Sequence, residues 1–208
     1  MKRRLRFFFV IAVISLFSLT CSSTKTTLTW VWEDETYQGG FLDDILVVGV
    51  SDNPARRKIF EDIFVAELEK RGVKAVSSVA VIPPDEELTR EKVLAEVEKQ
   101  GLDAILITYL LWVKEKDEFV PPATSDYPDG RYARFDIYSY ATGTYTRYGG
   151  SFSKIRDIKL DTHIYEAESQ MMIWSAKSKT VKAEYVSKVA DTLASEVIRD
   201  LREKKLIN

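Results

Sequence analysis

The stretch "ILVVGVSDNPARRKIFEDIFVAELEKRGV" (45–73) runs from a strand into a helix and out toward a second strand. "ILVVGV" (45–50) is continuously apolar and rich in β-branched residues, the pattern of a strand covered on both faces. "SDNP" follows, with Asp52 or Asn53 suited to cap a helix and Pro54 to its first position. Ile59, Ile63, Phe64 and Leu68 then recur at the spacing of one buried helical stripe. Lys70 and Arg71 suit the negative end of the helix dipole, and Gly72 suits a left-handed stop.

Working outward, "VKAVSSVAVI" (73–82) reads as the next strand, closed by Pro83 and Pro84. A second helix is expected from Thr89 to just before Gly101, with Val93, Leu94 and Val97 inward. "DAILITYLLWV" (103–113) is another strand buried on both faces. The first half is therefore a parallel βαβαβ unit with right-handed crossovers. The second half changes character. Ile158, Leu160 and Ile164 alternate with Lys159, Asp161, His163 and Tyr165, a strand with one polar face. "QMMIWSAKS" (170–178) reads as its hairpin partner, and a last helix over 184–204 presents Val186, Val189, Leu193, Val197 and Leu201. The expected fold class is α/β (α+β): a mixed sheet, parallel first and antiparallel second, with helices mainly on one face. Residues 41–208 form one domain, interrupted by an excursion over 115–152 that holds six of the ten tyrosines.

The N-terminus reads differently. Lys2, Arg3, Arg4 and Arg6 precede an apolar run, Phe7–Leu19, shorter than the ~20 residues that span a bilayer. Residues 1–20 read as a secretory signal, and Cys21, the only cysteine, stands directly after it. The segment resembles a bacterial lipoprotein signal, with Ser18 and Thr20 where such signals usually carry Leu and Gly, Ala or Ser. That resemblance implies acylation of Cys21, palmitate included, and a lipid-anchored chain in the cell envelope. Ser22, not Asp, implies the periplasmic face of the outer membrane in a Gram-negative cell. Residues 21–40 then read as lipidated cysteine and tether. Removing residues 1–20 takes four of the 30 cationic side chains and none of the 32 acidic ones, moving the formal charge from −2 to −6. A negative chain without a basic run excludes nucleic acid as a partner.

Catalytic chemistry is thinly represented. His163 is the only histidine and shares a strand face with Asp161, so a hydrolase using this pair is one alternative. No G-x-S-x-G elbow accompanies it, and a histidine on a polar strand face is the simpler reading. One His and an acylated Cys supply no zinc set, and no calcium ladder surrounds Asp126 and Asp129; no cofactor is expected. "GVSDNPARR" (49–57) is a strand-to-helix loop where Arg56 or Arg57 could assist anion binding, but it lacks phosphate-loop glycines, and Arg57 has Glu61 one turn on. Tyr138, Tyr140, Tyr145 and Tyr148 form the candidate binding surface, for a protein or a cell-wall glycan; equally, they form a lid over the sheet.

The order of these elements, with "GLDAILITYL" and "THIYEAESQMMIWSAKS" (162–178), resembles a group of uncharacterised bacterial lipoproteins. Their fold is similar to the α/β domain of the curli-secretion lipoprotein and of lipoprotein activators of penicillin-binding proteins. The resemblance implies a non-catalytic envelope binding or assembly module, with another envelope protein or a cell-wall glycan as partner.

Overall fold

The computed structural model describes residues 24–83, 86–115, 155–183 and 185–208. Six strands form one mixed sheet, in the order β1-β6-β5-β4-β2-β3. β2 (Asp44–Gly49) pairs in parallel with β3 (Lys74–Ser77) on one side and β4 (Ala104–Glu115) on the other. β4, β5 (Ile155–Glu166), β6 (Met172–Val181) and β1 (Lys25–Glu33) continue antiparallel.

The expected caps are in place. Asn53 Oδ1 accepts from the Arg56 amide at 3.0 Å, with Pro54 opening α1 (Pro54–Glu69). Thr89 caps α3 (Arg90–Gln100), which stops on Gly101 at φ 62°, where a side chain would be strained. The two long helices, α1 and α4 (Val186–Glu203), pack together on one sheet face. There Phe60, Phe64 and Leu68 of α1 meet Val189, Leu193 and Val197 of α4 over Ile45, Val47, Leu106 and Ile164. α3 lies on the other face, where Val93 and Val97 cover Leu46, Val48, Ile105 and Ile107. Alternate side chains of β2 and β4 thus enter two cores, which is why both strands are apolar throughout.

Two stretches differ from expectation. Lys25–Glu33, inside the region read as tether, is β1, the outermost strand, paired along β6. The strand expected over 73–82 stops at Ser77 and turns into α2 (Ser78–Val81). The physical reason is a buried carboxylate on α1: Glu61 accepts from Ser77 Oγ, Ser78 Oγ and the Val79 amide, drawing the chain out of the sheet.

The strands are staggered. β2 ends at Gly49, level with Thr108, whereas β4 runs on to Glu115, opposite Ile155. At about 3.3 Å per residue, the β1-β6-β5-β4 half projects roughly 20 Å beyond the end of β2. The start of β1, the end of β6 and the start of α4 all lie at that projecting end.

Candidate functional site

Asp161 and His163 share one face of β5 with Tyr165, as alternation predicts, but that face is not solvent-exposed. Asp161 is 0% exposed and His163 2%. His163 Nε2 stands 3.7 Å from Asp161 Oδ1, and Nδ1 lies 3.1 Å from Met172 Sδ. Tyr109 meets the imidazole edge-on at 5.7 Å, and Tyr165 lies 6.1 Å away. Burial pushes the imidazole pKa below its ordinary 6.5; Asp161 opposes the shift and Lys177 adds to it. Ser175 is directly opposite His163 on β6, so the residue types of a hydrolytic triad meet on one sheet face. Their arrangement is different. A triad sets a hydroxyl at the imidazole nitrogen opposite the carboxylate, and here the Met172 thioether holds that position. The pair lies in the interior, not on the polar surface that the strand pattern suggested.

The strand-to-helix loop after β2 is organised by Glu61, which is 0% exposed. Besides its three bonds to 77–79, it accepts from the Gly49 amide and from Arg57 Nε, both at 2.9 Å. Arg57, 6% exposed, also donates to Ser78 Oγ at 2.6 Å. Arg57 is therefore committed inside the protein and not presented to an anion. The i,i+4 pair read from sequence is real, but its weight comes from burial rather than helix spacing.

β1 is the surface element that sequence reasoning missed. A slip in register between Leu28 and Trp30 turns Trp30 and Trp32 to the face of Lys177 and Ser175, while Leu28 and Val31 pack on the α1/α4 core. Trp30 is 36% exposed. The signal was legible: "TTLTWVW" (26–32) is dense in β-branched and aromatic residues, the composition of a strand and not of a tether. Among the described residues, the outer edge of β1 pairs with no further strand. Cys21 and Tyr138, Tyr140, Tyr145 and Tyr148 lie outside the described residues. Among the described residues no cluster of three or more His, Cys, Asp or Glu could hold a metal, and no helix is long and apolar enough to cross a membrane.

No protein-family model and no curated protein matches the sequence. Solved structures give remote likenesses. The PelC dodecamer from Paraburkholderia phytofirmans is 13% identical over 83% of this chain and 95% of its own, with a TM-score of 0.45. Lipoprotein GNA1162 from Neisseria meningitidis is 11% identical over 77% of this chain and 98% of its own, with a TM-score of 0.40. A PDZ domain protein from Parabacteroides distasonis is 9% identical over 90% of this chain and 38% of its own, with a TM-score of 0.42. At such scores the likeness stops at general resemblance and does not reach the curli-secretion or activator lipoproteins.

Proposed function

We propose that this chain is an envelope lipoprotein, anchored through acylated Cys21, whose folded domain binds or assembles with another envelope component and turns over no substrate. The observation that carries the reading is the contrast between two surfaces of the sheet. The one candidate acid–base pair, Asp161 and His163, is sealed in the interior with a thioether on its second nitrogen. On β1, by contrast, Trp30 is partly exposed and, among the described residues, one backbone edge pairs with no further strand. An edge strand offers amide and carbonyl groups to an incoming strand, and a half-exposed tryptophan offers contact area at low entropic cost.

Three variants test this reading. Cys21→Ala is expected to abolish metabolic palmitate labelling and release the protein from membranes. Trp30→Ser is expected to impair complementation of a deletion strain while leaving the fold intact, and His163→Gln to complement. A folded His163→Gln protein that fails to complement, beside a Trp30→Ser protein that succeeds, would overturn the non-catalytic reading. Equal labelling of the parent and Cys21→Ala would overturn the anchor.

A further inference from the structure

We infer that the projecting end of the sheet, carrying Lys25, Lys182, Tyr185 and Lys188, is the membrane-facing surface of this domain, seated on the headgroups of the bilayer that holds the Cys21 lipid. The inference rests on the lipid-anchor reading above and adds an orientation to it. Thr24 is the first described residue, and its hydroxyl donates to the Lys182 carbonyl at 2.9 Å. The chain thus enters the fold against the turn that follows β6, one residue before β1 begins. Three residue steps separate Cys21 from Thr24, a span of at most about 11 Å. One headgroup layer is itself about 5–8 Å deep. Whatever path the intervening residues take, Thr24 and its neighbours stay within reach of the headgroups. The opposite end of the sheet, where β4 starts at Ala104, lies about 35 Å further out.

The chemistry at this end fits that placement. Elsewhere the basic side chains are largely neutralised within the fold: Lys58 by Asp62, Lys74 by Asp44, Lys92 by Glu86 and Lys204 by Glu33. Lys25, Lys182 and Lys188 are exposed and have no ion-pair partner among the described residues. Lys25 pairs in register with Val181, Lys182 follows in the turn, and Lys188 donates its amide to the Tyr185 carbonyl in the first turn of α4. The three lysines therefore lie on the segments that meet at the point of chain entry. Tyr185, 60% exposed among them, is the amphipathic ring type that settles at membrane interfaces. Asp191 on α4 tempers this end and the Asp157–Lys179 pair adds no net charge, so among the described residues the end stays cationic on a chain whose mature charge is negative. Lysines within a Debye length of anionic lipid are attracted to it, so they set the orientation of a domain whose attachment comes from the acyl chains.

The test uses the full lipoprotein in vesicles of phosphatidylethanolamine and phosphatidylglycerol. A nitroxide is placed at Ser187→Cys or, as the distal control, at Lys99→Cys beside the start of β4, and its relaxation by a nickel-chelating lipid headgroup is measured. Relaxation at residue 187 is expected to exceed that at residue 99 several-fold and to rise with the phosphatidylglycerol fraction. Charge reversal at Lys25, Lys182 and Lys188 (each to Glu) is expected to remove the dependence on phosphatidylglycerol while the protein stays vesicle-bound. Equal relaxation at the two positions in an acylated, retained protein overturns the orientation alone. An unchanged lipid dependence after charge reversal overturns the role of the lysines. A protein without acyl mass that washes off the vesicles removes the anchor reading, and the orientation with it.

Discussion

Replacing Glu61 by Ala tests whether one carboxylate holds the junction of β2, α1, β3 and α2. Its two oxygens accept from the Gly49 amide, Arg57 Nε, Ser77 Oγ, Ser78 Oγ and the Val79 amide, at 2.6–2.9 Å. Removing it takes the acceptor from the Arg57 Nε and from the Gly49 and Val79 amides, at a position that is itself 0% exposed. Breaking a buried ion pair by deleting one partner costs about 3–5 kcal/mol, and the further lost acceptors place this case near 4. For a chain of this size, about 2–4 °C of Tm is lost per kcal/mol, so Tm should fall by roughly 10–15 °C. Arg57→Met removes one donor of five and leaves the carboxylate four neutral donors, so it should cost less, about 2 kcal/mol. That inequality is the informative result. An interaction amounting only to an ion pair would make the two losses equal. Urea unfolding followed by tryptophan emission, with buried Trp174 as the main reporter, gives both values. Equal losses, or a Glu61→Ala protein within about 1 kcal/mol of the parent, would refute the reasoning.

Other outcomes follow from the same geometry. The folded-state pKa of His163 lies below 6.5, so the unfolded chain takes up its proton first on acidification. Stability should therefore drop as pH falls from 6.5 toward 5, by up to about 1.4 kcal/mol per unit, and His163→Gln should flatten that slope. His163 is the only histidine, and the lowered pKa of Glu67 acts below 4.5, so urea midpoints in this window isolate it; an unchanged slope in the variant would count against the burial account. Trp174 Nε1 donates to Asp200 at 2.8 Å across the β6–α4 contact, so Trp174→Phe should cost about 2 kcal/mol in urea unfolding followed by circular dichroism, from the lost bond and lost contact area. Gly49→Ala places a Cβ 3.0 Å from Phe60 Cδ1 and should destabilise by about 1–2 kcal/mol; a neutral result would mean that the ring moves aside freely.

The parallel unit was legible because its signals are local. The apolar runs of β2 and β4, the Asn53-Pro54 start, the Thr89 cap and the Gly101 stop each act within a few residues of themselves. The antiparallel hairpin of β5 and β6 was legible for the same reason, since only a short turn joins its strands. β1 carries the local composition of a strand, but its place in the sheet depends on remote partners. The Thr26 hydroxyl meets Thr180 at 2.6 Å and Thr192 at 2.7 Å, contacts to residues more than 150 positions away. α2 was lost because the carboxylate that bends Ser78 and Val79 belongs to the preceding helix.

By itself, then, the amino-acid order determined the element types apart from β1 and α2, the mixed sheet and the placing of Asp161 with His163 on one strand face, because backbone periodicity and capping chemistry are near-neighbour effects. Tertiary packing alone decided that this face is interior, that the Arg57–Glu61 pair is buried, and that Lys25–Glu33 is an edge strand paired along β6. Burial and partnership depend on which distant surfaces meet, and alternation along one strand carries no information about what lies above it.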